Sequence, residues 1–247
     1  MSDFNTGSLT AKGGFKNEDD IINKLNNWKN DNEAKEWLKI MNYDLDEIEY
    51  VEAVKIFGYK TDVQVQVTIK LKKLIDVQNI QVKLVSNLRG FNQIDKHWVD
   101  YYVKLWQIPK NVEILLKKYT GEVKPNKFGL RDKRRMFADE FSDKEQKLLL
   151  NWIKEHQTLI ISDILKGRGK FAAEWMLVAQ KINHNARWTL KPMNFCINFF
   201  GNGEVIITER GNIKIGKITM QRKGGDAGRP TANMLQFKIN PAELFVT

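Results

Sequence analysis

The chain reads as a mixed α/β fold, a central β-sheet flanked by helices, in one domain spanning residues 1–247. Three observations carry that reading. Two neighbouring segments alternate polar and apolar residues with a period of two, helical apolar patterns lie before and after them, and the C-terminal half breaks into short strand-like runs separated by Gly, Asn and Pro. A chain of 247 residues can bury a substantial core, and no linker, repeat or low-complexity tract interrupts it.

The elements follow in chain order. Over 18–28, Ile21, Leu25 and Trp28 share one helical face, and Ala34, Trp37, Leu38 and Met41 repeat the pattern, so two packed helices are expected. In 62–71 (DVQVQVTIKL), Val63, Val65, Val67, Ile69 and Leu71 alternate with Asp62, Gln64, Gln66, Thr68 and Lys70, which predicts a half-buried strand. The run 80–85 (IQVKLV) repeats this, with Gln81 and Lys83 on one side and Ile80, Val82 and Leu84 on the other. As a hairpin, the pair turns near Leu71, Lys72 and Lys73, although a longer loop over 72–79 is equally compatible because no Gly or Pro marks the turn. Residues 95–108 predict a helix burying Trp98, Val99, Tyr102, Leu105 and Trp106, and Ser142 followed by Glu145 forms a capping-box pattern that starts another. Strands are expected over 175–179, 193–200, 205–208, 213–220 and 234–239.

The two alternating strands place Asp62, Gln81 and Lys83 on a common polar face. A carboxylate and an amide oxygen are hard ligands suited to Mg²⁺, and a neighbouring lysine could orient a water or offset developing charge. The same pattern also describes a strand with ordinary polar residues facing solvent. Among the histidines His97, His156 and His184, no histidine-metal nuclease constellation is apparent, and Asn183-His184-Asn185 reads as a surface turn.

Forty Lys plus Arg against thirty Asp plus Glu give a formal charge of +10 and a pI near 9.5, which favours a polyanionic partner. Aromatic and Gly-rich elements interrupt the basic segments, as suits a groove better than a tail. The polar start MSDFNTGSLTAKGG and the lack of an 18-residue apolar run lead to the expectation of a soluble, cytoplasmic protein with no membrane partner. A single cysteine, Cys196, excludes an intrachain disulfide and is expected in the core of a strand.

Asp62, eighteen intervening residues and Gln81-Val82-Lys83 resemble the active site of the PD-(D/E)XK nuclease superfamily, as found in type II restriction endonucleases. Asp62 matches the metal-binding Asp and Lys83 the Lys; Gln81 stands where the family usually has an acid, and Thr61 where it has Pro. The stretches 167–180 (GRGKFAAEWMLVAQ) and 220–241 (MQRKGGDAGRPTANMLQFKINP) are also similar to such enzymes, as is Gly13-Gly14 followed by Glu18. The resemblance implies a restriction-endonuclease-like sheet and Mg²⁺-dependent cleavage of double-stranded DNA that leaves 5′-phosphate and 3′-hydroxyl ends. It further implies a bacterial restriction system with a cognate DNA methyltransferase, acting as monomer or homodimer. Within the family it is nearest to a monomer-sized enzyme that cuts GCGC. Because Gln81 removes one negative charge, either metal binding is weaker or another acid contributes, for which Glu18, otherwise a helix-dipole charge in a first turn, and Glu52 are the candidates.

DNA readout is expected in two places, chiefly in the C-terminal half. Phe91 and Gln93 follow the active-site strand, where Phe91 could wedge between base pairs or simply staple the next helix. Between 221 and 238, Arg222, Lys223 and Arg229 offer cations, Asn233 and Gln236 offer amides, and three glycines allow close backbone approach. An exposed basic hairpin is the alternative there. The cluster 124–135 (KPNKFGLRDKRR) is either phosphate-contacting or solvated. A competing function is a sequence-specific DNA-binding protein with a decayed nuclease site; cleavage in Mg²⁺ separates the two.

Overall fold

The computed structural model describes residues 2–56, 64–87, 90–182 and 185–246, with side chains from Gly13 onward, Gly14 and Gln64 excepted. In chain order the regular elements are α1 (Ser2–Asn26), α2 (Asn32–Ile40), β1 (Ile48–Ile56), β2 (Gln64–Leu71), β3 (Ile75–Val85), β4 (Asn92–His97), α3 (Val99–Trp106), α4 (Lys110–Thr120), α5 (Asp143–Glu155), α6 (Gln157–Leu165), β5 (Trp175–Ile182), β6 (Asn185–Pro192), α7 (Met193–Gly201), β7 (Val205–Ile207), β8 (Ile213–Ile215), β9 (Ile218–Arg222) and β10 (Leu235–Ile239). These fall into two compact units, one of 1–92, 166–196 and 240–247, the other of 93–165 and 197–239.

The first unit is built on a five-stranded sheet in the order β1-β2-β3-β5-β6. Neighbours are antiparallel except β3 and β5, which run parallel. The β2–β3 hairpin pairs Gln64 with Gln81 and Lys70 with Ile75, which centres it between Lys72 and Lys73. A tight turn closes it without glycine, the Leu71 N–H donating to the Leu74 carbonyl at 2.8 Å. Strand β3 therefore starts at Ile75, and the alternative of a long loop over 72–79 is excluded.

One face of this sheet is apolar and covered by helices. Val65, Val67 and Ile69 of β2, Ile80 and Val82 of β3 and Leu177 of β5 pack with Ile21 and Leu25 of α1 and Trp37 and Leu38 of α2. Each such side chain contributes roughly 1.5–3 kcal/mol of transfer free energy. The predicted helix pair is thus present, and Asp31 caps α2 by accepting from the Ala34 N–H at 2.9 Å.

The second unit carries a five-stranded sheet in the order β4-β10-β9-β8-β7. Tyr102 and Trp106 of α3 stack at 4.6 Å between centroids, and Phe237 of β10 meets Tyr102 edge-on at 5.5 Å. The buried Tyr119 hydroxyl donates to the Met220 carbonyl at 2.8 Å, tying α4 to β9. Ser142 and Glu145 form the expected capping box at the start of α5.

Three expectations are corrected. Residues 193–200 form a helix, not a strand: the buried positions are Met193, Cys196 and Phe200, which is helical spacing. Cys196 is accordingly a buried helix residue, and burial pushes its thiol up to about 12. The predicted helix over 95–108 begins only at Val99, because Asn92–His97 is a strand in which the Asp95 carboxylate is buried and accepts from the Tyr102 hydroxyl at 2.9 Å. Lastly, the run 213–220 is not one strand but two, β8 and β9, which fold back antiparallel about a turn at Gly216, where φ is +54.

Candidate active site

Strand β3 has a hydrogen-bonded neighbour on each side, so side chains in its middle leave water if anything lies over the face they occupy. The register pairs Val65 with Ile80 on the helix-covered face, and alternation then puts Asn79, Gln81 and Lys83 on the other. Both predicted β3 residues are deeply buried there, Gln81 at 0% exposure and Lys83 at 4%. Asp62 and Thr61 lie outside the described residues, as do Asn183 and His184.

The two amides of β3 on this face differ sharply. Asn79 is fully engaged: its Oδ1 accepts from Gln66 at 3.1 Å, and its Nδ2 donates to the Lys170 carbonyl at 3.0 Å and the Ala172 carbonyl at 3.3 Å. Among the described residues, neither Gln81 Oε1 nor Gln81 Nε2 has a hydrogen-bond partner. An unpaired buried amide costs about 1–3 kcal/mol, so the fold tolerates at Gln81 a defect that a ligand could remove. An amide oxygen in search of an electropositive partner fits a hard divalent cation.

Sequence reasoning overlooked Gln180. It lies on β5 opposite Val85, on the Gln81 face by alternation, and is almost fully buried. Its Oε1 accepts from Arg187 Nε at 2.5 Å, its Nε2 has no partner, and the Arg187 guanidinium rests 4.4 Å from the Phe245 ring centroid. The signal was a polar residue closing the apolar run WMLVA.

The two candidate compensating acids are placed differently from each other. Glu18 is buried on α1, with its carboxylate 3.2 Å from Lys55 Nζ; Lys55 lies opposite Val65, on the helix-covered side of the sheet. Glu52 shares the Gln81 face but is exposed, and the register offsets it by two strands and four residues, about 16 Å. It cannot ligate the same ion as Gln81. Among the described residues no group of three or more His, Cys, Asp and Glu could hold a metal.

Of the readout candidates, Phe91 in the first unit is 54% exposed. The others gather in the second unit. Gln236 of β10 is buried and its Nε2 donates to Gln93 Oε1 of the neighbouring β4 at 2.6 Å, while its own Oε1 has no hydrogen-bond partner. Arg222 donates through Nε and Nη2 to Asn233 Oδ1 at 3.1 and 2.7 Å, and Asn233 Nδ2 donates to the Gly121 carbonyl at 3.0 Å. Burial lowers the Arg222 pKa, and the nearby Arg134 lowers it further. Lys223 pairs with Asp226, and Arg229 is exposed. Gly224 and Gly225 have positive φ, and nothing lies within 4 Å of where a Cβ would stand on either, so this loop leaves its backbone open to a partner.

No curated protein matches the chain. Among solved structures it is similar to restriction endonuclease MspI in complex with its cognate DNA, with a TM-score of 0.65 and 15% identity over 96% of this chain and 93% of that one. That likeness shows the mixed α/β fold. The family model described as R.HinP1I restriction endonuclease matches residues 41–245. The chain belongs to the R.HinP1I restriction endonuclease family and is a type II site-specific deoxyribonuclease.

Proposed function

We propose that the enzyme hydrolyses double-stranded DNA at the palindrome GCGC in a Mg²⁺-dependent reaction, leaving 5′-phosphate and 3′-hydroxyl ends. The observation that carries this reading is the buried, partnerless amide of Gln81 beside the buried Lys83 on the central strand β3. Asp62 and Gln81 Oε1 would hold the ion. When bound, it would supply Lewis-acid polarisation of the scissile phosphate and a water of lowered pKa. Lys83 orients the attacking water and offsets charge gathering on the phosphoryl oxygens, a role favoured by its exclusion from solvent. The water oxygen bonds to phosphorus and gives up a proton, the bond from phosphorus to O3′ breaks, and O3′ leaves with a proton.

Sequence readout is assigned to Arg222, Lys223 and Arg229 as donors toward guanine O6 and N7 or phosphates, with Asn233 holding Arg222 in place and Gln236 holding Gln93, whose amide faces base edges. The clamp of Arg222 on Asn233 pre-orients both. Phe91 is assigned as a wedge between base pairs. In this reading residues 1–247 act as one endonuclease domain in the bacterial cytoplasm, as monomer or homodimer, and a cognate methyltransferase protects the host's own sites.

The test is incubation of the purified chain with unmethylated plasmid in Mg²⁺ and in EDTA, followed by mapping of the ends. Discrete Mg²⁺-dependent fragments cut at GCGC are expected. Intact DNA that is nevertheless shifted on a gel would replace this reading with that of a binding protein whose nuclease site has decayed.

A further inference from the structure

The basic loop between α4 and α5 has a feature that the proposed readout does not use. Phe128 is 99% exposed, and it follows Lys127 at the apex of a loop that also carries Lys124, Arg131, Lys133 and Arg134. Single exposed apolar side chains are common on proteins, so exposure alone is not informative. What sets Phe128 apart is how its surroundings are held.

Both flanks of the apex are tied to one residue. Lys127 Nζ donates to the Glu140 carbonyl on one side, and on the other the Arg131 N–H donates to Glu140 Oε1 at 2.8 Å. Arg131 also pairs with Asp139, and its guanidinium lies 4.2 Å from the Phe137 ring centroid. Gly129, at φ +75 with nothing within 4 Å of a notional Cβ, turns the chain directly after Phe128. The aromatic ring is thus presented on an anchored turn rather than on a frayed one, which lowers the ordering cost of any contact it makes.

The foot of the loop is fastened to the 221–236 segment. Gly121 ends α4 at φ +86, where an added Cβ would stand 2.8 Å from the Arg134 carbonyl, and its own carbonyl accepts from Asn233, the residue that Arg222 clamps. Arg134 and the buried Arg135 come together beside Arg222, with Asp132 as a nearby acid. Lys124 and Lys133 are exposed and have no acidic partner among the described residues. This is a concentration of positive charge around one projecting aromatic ring. Duplex DNA offers phosphates to the cations and, in its grooves, base edges and methyl groups to an apolar ring, and so complements both features.

Resting on the endonuclease reading, we infer that the 121–135 loop is a second DNA-contacting arm. Phe128 sets its ring in a groove of the duplex, against base edges beside the stretch engaged by 221–236, while Lys124 and Lys133 hold the phosphates around it. The arm adds affinity outside the cleavage site and leaves the chemistry at β3 unchanged.

The experiment measures affinity, with Ca²⁺ replacing Mg²⁺, for two labelled duplexes carrying GCGC: one extends about one helical turn beyond the site on each side, the other ends at the site. Phe128→Ala should bind the long duplex about tenfold more weakly, the size of one base contact in a groove, and the short duplex as the unaltered chain does. Phe128→Trp should restore the long-duplex affinity. Lys124→Ala and Lys133→Ala should each reduce the slope of log affinity against log salt by about 0.9 on the long duplex only. Because Phe128 buries almost nothing, the thermal unfolding of Phe128→Ala should match that of the unaltered chain, so lost binding is not lost folding. Equal affinity of Phe128→Ala and the unaltered chain for the long duplex overturns the arm, as does an equal loss on both duplexes, and either leaves the endonuclease intact. Failure of the unaltered chain to bind either duplex overturns both.

Discussion

Replacing Gln81 by Met tests whether the partnerless amide belongs to function or to the fold. Methionine has a similar length and flexibility and carries no amide, so the replacement removes two unsatisfied polar atoms without opening a cavity. Leaving such a group unmade costs about 1–3 kcal/mol, and relief of about 2 kcal/mol is the expected gain. For a chain of this size each kcal/mol moves the midpoint by about 2–4 °C, so in EDTA the variant should melt about 4–8 °C higher. It should also lose DNA cleavage. A Mg²⁺ titration followed by thermal unfolding adds an independent reading. At a concentration a hundred times the Kd the unaltered chain should gain about 2.7 kcal/mol, and Gln81→Met should gain little. A variant that melts lower in EDTA would mean that the amide has partners in solution and is structural. A variant that still cleaves DNA would remove Gln81 from the site.

Three further outcomes are expected. Lys83→Ala should lower the cleavage rate about 10²–10³-fold, the effect of losing one charge-stabilising donor, while affinity measured in Ca²⁺ is kept; parallel loss of both would make Lys83 a structural residue. Glu145→Ala should cost about 1 kcal/mol at neutral pH by removing the cap of α5. Ser142 holds the Glu145 carboxyl below its ordinary value through its O–H and N–H, so this contribution is present above the unfolded pKa of about 4.3 and is lost as pH falls through the folded value. Urea unfolding should therefore show the two chains converging below about pH 4, and a constant difference across that range would refute the cap. Gly211→Ala should destabilise the chain by at least about 2 kcal/mol in the same assay, because φ is +70 there and the new Cβ would stand 2.7 Å from Phe137 Cβ; a neutral effect would show that the loop can shift.

The sequence revealed the parts of this fold that a single periodicity encodes. Alternation in β2 and β3 and helical spacing at Ile21, Leu25 and Trp28 predict both the elements and the faces they bury. Helix α4 is equally legible, with Val112, Leu115, Leu116 and Tyr119 at helical spacing between Pro109 and Gly121. Other elements had no such signal. In α6 the buried Ile160, Ile161, Ile164 and Leu165 share one face, but the exposed Leu159 extends the apolar run and blurs the period, and β1 is interrupted by a register shift between Ile48 and Tyr50. Helix α7 was misread because six of its nine residues are apolar or aromatic, and only burial separates Met193, Cys196 and Phe200 from the rest. At the candidate site, spacing puts Gln81 and Lys83 on one face of a strand but does not give their state. That Gln81 lacks partners while Asn79 is saturated depends on the backbone carbonyls of Lys170 and Ala172, about ninety residues away in sequence, which no local pattern encodes.

In the proposed metal site, that state accounts for a glutamine where the PD-(D/E)XK pattern has an acid. Gln81 is fully buried on an interior strand, and an ionised carboxylate there would have to be paired or would cost far more than an amide. Glu18 is committed to Lys55, and Glu52 is too distant to share an ion with Gln81. An uncharged ligand therefore lets the unliganded chain keep its centre strand dry at a cost of about 1–3 kcal/mol. The consequence falls on the ion: with one negative charge fewer, electrostatic attraction is weaker, and affinity depends more on the charge that DNA phosphates bring. Metal and DNA should then bind with positive coupling, each raising affinity for the other by the same factor. Mg²⁺ binding measured with and without a duplex would show it as a tighter Kd in the presence of DNA, and an unchanged Kd would place the missing charge within the protein instead.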